Sequence, residues 1–311
     1  MMKNDGIANP LVSVVVITYN SSKYVLETLE SAKNQTYQNI ELIVSDDCST
    51  DDTVAVCRDW IEKNKGRFVR TKLIESEINT GIPANCNRGY KEAKGEWVKG
   101  IAGDDILVVD GIESFICQYN GEDYIVAGNY QSFKTSPAGE RLLYKEVELL
   151  GRMVKIYNSP VKHQYETMLR ECFVNAPSVI IKRNLFNLIG YFDESYRMME
   201  DRPFWLKCLS NGYKIGYIPV LMTYYRKAQG SITSNVTTFF NVDFYKDSQR
   251  LKKECILPYI PFWDILFWED YWIEKIRFHV LVKLLHNRRT FFNRIISKVL
   301  LCLSIKNWFS H

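Results

Sequence analysis

Two pairs of carboxylates in this 311-residue chain stand where an apolar run ends. Asp46 and Asp47 follow the run IELIVS, and Asp104 and Asp105 follow WVKGIAG. One such pair is common as a turn or a helix cap. If both pairs face one crevice, however, four carboxylates repel one another unless a cation or hydrogen-bond donors lie between them. The pattern therefore predicts a site for a ligand that is positively charged or rich in hydroxyl groups.

The elements around these pairs alternate between strand and helix over the first hundred residues. The run LVSVVVITYN at 11–20 is too uniformly apolar for an exposed strand, so we expect it inside a sheet covered on both faces. Ser21 or Ser22 is expected to cap the helix that follows. Further strand patterns at 40–47, RTKLIES and EWVKGIA are separated by amphipathic helical patterns. Because crossovers between parallel strands are right-handed, this alternation predicts an α/β fold with a doubly wound, mostly parallel sheet.

Ligands of such sheets bind beyond the carboxyl ends of the strands. Thr18, Tyr19 and Asn20 stand at one predicted carboxyl end, and the acidic pairs stand at two others. Neither GxGxxG nor GxxxxGK[ST] follows the first strand, which argues against a dinucleotide oxidoreductase or a P-loop NTPase. Without such a loop, a bound nucleoside diphosphate needs a divalent cation to neutralise its phosphates. Oxygen-only ligation suits Mg²⁺ or Mn²⁺.

Composition is that of a globular protein and argues against other metal chemistry. The eight cysteines include no CxxC pair and have no His at metal-ligand spacing, so neither a disulfide framework nor a zinc site is predicted. The N-terminus lacks the pattern of a secretory signal, and no apolar run approaches the roughly 18 residues that span a bilayer. We therefore expect a cytoplasmic location.

Seven segments, taken in order, resemble the successive motifs of the family 2 glycosyltransferases. They are VSVVVITYN, IELIVSDDCSTDDT, NTGIPANCNRGYKEAKGEWV, AGDDIL, IGYFDE, MEDRPFWLKCLSNGYKIGYIPV and YYRKAQGSITS, and together they span residue 11 to about 235. The resemblance implies the GT-A fold. It also implies a metal-dependent, inverting enzyme of cell-surface polysaccharide synthesis, which moves a sugar from a nucleoside diphosphate donor, expected to be a UDP-sugar, to a hydroxyl of a glycan or lipid-linked glycan.

The resemblance assigns roles to the strand-end residues. The loop after the first strand and the pair at 46–47 would hold the base and ribose, and the segment containing Gly81 and Arg88 would close over the base. Asp104 would meet the ribose or the metal, and Asp105 would ligate the Mn²⁺ or Mg²⁺ that bridges the diphosphate. The residues assigned to the nucleotide-sugar are Thr18, Tyr19, Asn20, Asp46, Asp47, Gly81, Arg88, Asp104, Arg226 and Ser231.

The same resemblance places the acceptor chemistry near residue 200. Asp201 matches the acidic motif of the family at a helix start and would take the proton of the acceptor hydroxyl. Glu200 is a candidate for the same role, and an acidic N-terminus that complements the helix dipole is the simpler alternative for both. Arg226 and Ser231 would lie in a flexible loop that reaches the diphosphate. A solvated strand end is the alternative for Arg226.

The chain departs from the family pattern at two positions. Ala102 fills the place of the first Asp in the D-x-D-D pattern that the family often shows, so the metal site rests on Asp104 and Asp105. Cys48 stands where Gly is usual after the second-strand pair, which puts the turn at that position in question.

The C-terminal region is basic and aromatic. Residues 275–311 carry eight Lys and Arg and no Asp or Glu, within a chain whose net charge is +4. Apolar residues recur there at helical spacing with Arg and Lys on other faces, the pattern of a helix lying on an anionic membrane surface. A helical hairpin packed on the catalytic domain or on another subunit is the alternative. The aromatic residues are not set in a basic groove, so we expect no nucleic-acid partner.

These observations divide the chain and leave three classes of function. We expect a GT-A catalytic domain at 1–236, with a nucleotide-binding half at about 10–120 and an acceptor half at about 121–236, and a helical basic extension at 237–311. A sugar nucleotidyltransferase would begin with a Gly-rich loop that this chain lacks. A non-catalytic sugar-nucleotide or glycan-binding module would be expected to lose the carboxylates at 105 and 201, and both are present.

Overall fold

A computed structural model describes residues 9–136, 140–144, 151–227 and 237–302. The chain divides into two compact units, Met1–Lys227 and Ala228–His311. The expected division of the first part into a nucleotide half and an acceptor half stays a prediction.

Four parallel strands form the first part of the sheet in the first unit. They are β1 (Val12–Thr18), β2 (Ile40–Asp46), β3 (Arg70–Glu75) and β4 (Trp97–Ala102), in the spatial order β3-β2-β1-β4. The connecting helices are α1 (Val25–Lys33), α2 (Thr53–Asn64) and α3 (Ile82–Glu92). Every residue of β2 is buried, as expected for a strand covered on both faces. The predicted alternation is therefore confirmed.

Helices cover both faces of this part of the sheet. Val14 and Val16 share a core cluster with residues of α1 and α2, such as Leu29. Residue Val15, which points to the opposite face, lies against Gly89 of α3, where an added Cβ would come within 2.5 Å of its Cγ1. The serine cap expected for α1 is wrong, because a turn intervenes: the helix begins at Val25, and the Ser21 carbonyl accepts backbone hydrogen bonds instead.

The remaining strands of the first unit extend the sheet with mixed polarity. They are β5 (Ile106–Leu107), β6 (Ile125–Thr135), β7 (Arg141–Leu143), β8 (Val179–Lys182) and β9 (Ile215–Arg226). The order of the sheet continues from β4 as β8-β6-β9-β5, and β7 pairs with β6. Strands β6 and β9 are parallel, whereas β8 is antiparallel to both β4 and β6. Consequently β9 ends at the same edge of the sheet as β1, β2 and β4.

Short helices pack around this extension. They are α4 (Gly111–Gln118), α5 (Gly151–Tyr157), α6 (Val161–Arg170), α7 (Leu185–Ile189) and α8 (Asp201–Ser210). Tyr90 of α3 makes edge-on ring contacts with Phe186 and Phe192, and Phe192 contacts Phe204 of α8. This aromatic cluster fixes α8 against α3.

The second unit is helical, as predicted for the C-terminal region. Its α-helices are α9 (Val242–Leu251), α10 (Ile265–Phe278) and α11 (Phe291–Cys302), and α9 and α10 continue into π-helical segments at Lys252–Ile256 and His279–Leu284. Within the described ranges, no helix has both the length and the apolar character needed to cross a bilayer.

Candidate functional site

Asp46 joins the carboxyl ends of the first two strands. Its buried carboxylate accepts hydrogen bonds from Thr18 Oγ1 at 2.8 Å, Ser49 Oγ at 2.6 Å and the Ser49 amide at 2.8 Å. These partners satisfy both carboxylate oxygens. Asp46 and Thr18 therefore tie the end of β1 to the loop that follows β2. Their predicted contacts with a nucleotide stay a prediction.

The loop after β1 presents one exposed aromatic residue. Asn20 adopts a left-handed conformation with φ of 50°, and its Oδ1 accepts a 2.8 Å hydrogen bond from the Thr50 amide. Tyr19, the residue before it, is half exposed. Cys48, at the position where Gly is usual in the family, also has positive φ, at 65°. The turn in question is therefore present with a cysteine in the conformation that glycine adopts most readily.

Asp47 binds the loop that leads into α3. Its carboxylate accepts 2.7 Å and 2.8 Å hydrogen bonds from Thr80 Oγ1 and the Gly81 amide, and Arg88 Nη2 donates a third at 2.6 Å. Burial acts to raise the pKa of Asp47, but the hydrogen bonds from Thr80, Arg88 and Gly81 hold that pKa below its usual value. Asp47 is therefore an ionised anchor that brings Gly81 and Arg88 to the sheet edge, and their predicted contacts with a nucleotide stay a prediction.

Gly81 connects this anchor to the segment before α8. Its φ is 95°, and a Cβ at this position would lie 2.5 Å from the Arg197 carbonyl oxygen. The same carbonyl accepts a 2.9 Å hydrogen bond from the Ile82 amide at the start of α3. Only glycine fits both the conformation and the close approach.

Asp104 and Asp105 follow β4 in a buried environment. Asp105 is 1% exposed, and its Oδ1 accepts a 2.8 Å hydrogen bond from the Arg226 backbone amide. Its Oδ2 is buried and has no hydrogen-bond partner among the described residues. Burial, and then the adjacent Asp104 charge, raise the pKa of Asp105 to about 8, and burial raises the pKa of Asp104. An ionised carboxylate without a partner is costly in such a place, which is why these pKa values are raised, and a cation or donor group beside the pair would favour the charged form.

Arg226 lies beneath this pair, which corrects the loop placement expected from the sequence. It is the last residue of β9, and its side chain is fully buried. Its Nε donates to the Asp104 carbonyl at 2.6 Å, and its Nη2 forms an ion pair with Glu27 at 2.9 Å. The guanidinium also contacts the faces of the Tyr24 and Phe133 rings. Strand β9 pairs with β6 as far as Arg226, so this residue stands at a strand end, but its side chain is buried rather than solvated. Ser231 lies outside the described residues.

Lys99 is a buried cation that the sequence analysis missed. It stands in the middle of β4 with no exposed surface, and its Nζ donates to the Gly100 and Pro177 carbonyls at 3.1 Å and 2.5 Å. Burial lowers the pKa of Lys99 to about 7, and the negative charge of Asp105 opposes this shift. A lysine inside the apolar run WVKGIA was the signal that could have identified it, since lysine is rarely buried unless it is paired.

Glu200 and Asp201 lie at the start of α8. Glu200 is the residue before the first turn, and Asp201 Oδ1 accepts a 2.6 Å hydrogen bond from the Arg202 amide. Burial, and then the charge of Asp201, raise the pKa of Glu200 to about 8. Burial also raises the pKa of Asp201. Both pKa values therefore shift in the direction that a general base near neutral pH requires.

Asp47 and the Glu200–Asp201 pair both lie close enough to α3 to affect one of its side chains. Burial raises the pKa of Cys86 in α3, and the charges of Glu200, Asp201 and Asp47 raise it further. The Glu200–Asp201 pair and the Asp47 anchor therefore act on the same helix. Within the described residues, no hydrogen bond or ion pair joins Asp105 to Asp201, so their cooperation in one site stays a prediction.

The donor set at Asp104 and Asp105 fits a divalent cation. No cluster of three or more His, Cys, Asp or Glu side chains suitable for a metal occurs in the described part of the chain. Mg²⁺ commonly takes only one or two carboxylates, with substrate phosphates completing its ligand sphere. The unpartnered Asp105 Oδ2 beside Asp104 supplies such a partial site.

Comparisons with known proteins agree with this architecture. The model of Glycosyl transferase family 2 matches residues 13–196. An Escherichia coli protein named UDP-Glc:alpha-D-GlcNAc-diphosphoundecaprenol beta-1,3-glucosyltransferase WfaP is 31% identical over 225 residues, covering 72% of this chain and 80% of that protein.

Two solved structures share the fold. The S. aureus TarS 1-349 complex with UDP-GlcNAc has a TM-score of 0.57 at 23% identity, covering 87% of this chain and 72% of that one. The chain spans 43% of the longer TarS structure. A Pyrobaculum calidifontis mannosyltransferase with GDP-Man and Mn²⁺ has a TM-score of 0.50 at 20% identity, covering 71% of this chain and 58% of that one. The chain belongs to glycosyl transferase family 2 and is a glycosyltransferase with the GT-A fold and a C-terminal helical extension.

Proposed function

We propose that this glycosyltransferase transfers one sugar from a UDP-sugar to a hydroxyl of a glycan or lipid-linked glycan, with Mn²⁺ or Mg²⁺ as cofactor. The observation that carries the proposal is the buried Asp105 Oδ2, which stands beside Asp104 at the carboxyl edge of the sheet and has no partner in the part of the chain that the structure describes. The names of WfaP and of the TarS complex support a UDP-sugar donor. The name of WfaP also supports a lipid diphosphate acceptor.

The donor side of the proposal uses residues at the strand ends. Tyr19, Gly81 and Arg88 contact the nucleotide, and the ionised Asp47 holds the last two in place. Asp105 and Asp104 hold the divalent cation, which when bound neutralises the charge of the diphosphate leaving group. The Arg226 amide holds the side chain of Asp105, and the Arg226 guanidinium holds the backbone of Asp104.

The acceptor side uses the pair that begins α8. Asp201 Oδ1 is occupied by the Arg202 amide, so Oδ2 takes the proton of the acceptor hydroxyl. The raised pKa of Asp201 brings its basicity closer to that required near neutral pH. Attack from the face opposite to the leaving group inverts the anomeric configuration. A cytoplasmic location, with the enzyme peripheral at the inner face of the cell membrane, suits a lipid-linked acceptor.

The experiment is a transfer assay with the purified full chain. A panel of UDP-sugars and GDP-mannose is supplied with a GlcNAc-diphosphate-lipid acceptor, with Mn²⁺ or with EDTA, and products are identified by mass spectrometry. The proposal predicts one added hexose or N-acetylhexosamine from one donor, lost with EDTA. Equal transfer in EDTA would contradict the metal requirement, and transfer from GDP-mannose alone would contradict the donor class.

A further inference from the structure

Helix α11 buries two polar residues and leaves several large apolar residues exposed. Its buried residues are Asn293 and Ser297, which are 7% and 6% exposed. Phe291, Phe292 and Val299 are 83%, 64% and 57% exposed. A helix of a water-soluble unit normally has the opposite arrangement. The orientation of α11 therefore needs a partner for its apolar side.

Specific hydrogen bonds hold the helix in this orientation. Asn293 Nδ2 donates to the Arg288 carbonyl at 2.8 Å, and Arg277 of α10 donates through Nη2 to Ser297 Oγ at 3.3 Å. Rotating the apolar side inward would break both contacts and leave buried polar groups without partners. The exposed apolar side is therefore specified by the packing of the second unit.

The exposed apolar residues form one stripe bordered by positive charge. At about 3.6 residues per turn, Phe291, Phe292, Ile295 and Val299 fall within roughly a third of the circumference of the helix. Arg294 and Lys298 are exposed and lie next to this stripe on one side. Residues 275–311 contain no acidic side chain. The stripe and its basic border complement a surface that has an apolar interior and anionic groups at its boundary with water.

A second exposed aromatic segment lies just before α10. Phe262 and Trp263 are 84% and 69% exposed and contact each other edge-on, with ring centroids 4.9 Å apart. Ile265 and Leu266 follow them and are also exposed. Trp and Phe side chains are frequent at the boundary between lipid headgroups and acyl chains.

We propose that the second unit binds the surface of an anionic lipid bilayer, with α11 lying in the plane of the interface. The stripe of α11 inserts into the boundary of the acyl chains, while Arg294 and Lys298 bind anionic headgroups. Charge complementarity selects this occupant, because every charged side chain of 275–311 is positive and a bilayer rich in acidic lipids attracts each of them. Membrane binding would bring the enzyme to a lipid-linked acceptor, and this consequence rests on the proposed function. Lipid binding itself does not depend on that function.

The test is flotation of the full-length protein with vesicles of phosphatidylcholine alone or of phosphatidylcholine with about one third phosphatidylglycerol. Wild-type protein is expected to float with the anionic vesicles at low salt, and less at high salt. F291S/F292S is expected to lower the bound fraction at least tenfold, and R294Q/K298Q to lower binding to anionic vesicles only. Matched controls in the first unit are V69S/L188S and K63Q/K65Q, which remove exposed apolar or basic groups outside the proposed surface and should float like wild type.

Three results would overturn the proposal. They are failure of the wild type to float with anionic vesicles at low salt, flotation of F291S/F292S equal to that of wild type, and a solution dimer that F291S/F292S dissociates, which would assign the stripe to a second copy. Transfer to a water-soluble acceptor is measured in parallel. Loss of flotation with that transfer intact separates this surface from the catalytic proposal.

Discussion

The backbone amide of Arg226 donates a 2.8 Å hydrogen bond to Asp105 Oδ1, although 121 residues separate the two in sequence. The guanidinium of the same arginine donates to the Asp104 carbonyl and forms an ion pair with Glu27. Arg226, at the end of β9, therefore fixes the backbone of Asp104 and the side chain of Asp105. The geometry of this acidic pair depends on the second half of the sheet.

Arg226→Lys tests this positioning role. Lysine keeps the charge but cannot reproduce the guanidinium fork that reaches Asp104 and Glu27 together. Losing one charged hydrogen bond, about 1.5–3 kcal/mol, should lower kcat/KM for transfer roughly 10- to 100-fold. The Mn²⁺ concentration needed for half-maximal activity should rise with it.

Arg67→Lys is the matched control for that variant. Arg67 donates to the Lys33, Gln35 and Tyr37 carbonyls, away from the acidic pair. It should lower the melting temperature without changing the Mn²⁺ requirement. If the two variants change the metal requirement equally, Arg226 has only a structural role.

Asp201→Asn tests the proposed base. The amide keeps the shape of the side chain and cannot accept the acceptor proton, so kcat should fall about 10²- to 10⁴-fold, with donor KM little changed. Initial rates at saturating donor and acceptor measure this. Near-wild-type transfer would remove Asp201 as the base, and a comparable loss in Glu200→Gln alone would assign the role to Glu200.

Glu200→Gln should change how stability depends on pH. The pKa of Glu200 is about 8 in the folded protein, against about 4.3 for an unperturbed glutamate. The folded state therefore holds a proton that the unfolded state releases, and wild-type stability falls as pH rises from about 4.3 to 8. The variant lacks this loss, so its melting temperature should exceed that of wild type by several degrees more at pH 8 than at pH 5. A melting-temperature difference between variant and wild type that grows toward acid pH would have the opposite sign and would refute the raised pKa of Glu200.

Gly81→Ala should disturb the nucleotide side of the site. An added Cβ would meet the Arg197 carbonyl at 2.5 Å in a left-handed conformation, whereas Gly212 has a φ of 85° with open space around it. Gly212→Ala therefore reports the cost of the conformation alone. Gly81→Ala should destabilise the protein by at least 1 kcal/mol more and raise the Kd for UDP. Equal effects of the two substitutions on UDP binding would contradict the role of Gly81.

Local patterns in the sequence were sufficient to predict the first part of the fold. The apolar runs at 11–20 and 40–47 are β1 and β2, because strands buried on both faces leave a continuous hydrophobic signal. The positions of the acidic pairs were predictable as well, because each pair stands where such an apolar run ends.

Contacts between distant segments were not predictable in this way. The pattern of the segment that ends at Arg226 carries no sign that this side chain is buried against the Asp104 backbone, 122 residues away. The contribution of Glu27 on α1 leaves no local pattern, since its partner is 199 residues away. Lys99 did leave a signal, a charge inside an apolar strand, and it was overlooked.

The central claim is that Asp105 holds the cation on which nucleotide binding depends. Isothermal titration of UDP into wild type, Asp105→Asn and the exposed control Asp110→Asn, with Mn²⁺ or with EDTA, tests it directly. Wild type and Asp110→Asn should bind UDP about 100-fold more tightly with Mn²⁺, a difference of about 2.7 kcal/mol, and Asp105→Asn should bind equally weakly in both conditions. Retention of the full Mn²⁺ effect in Asp105→Asn would contradict the account.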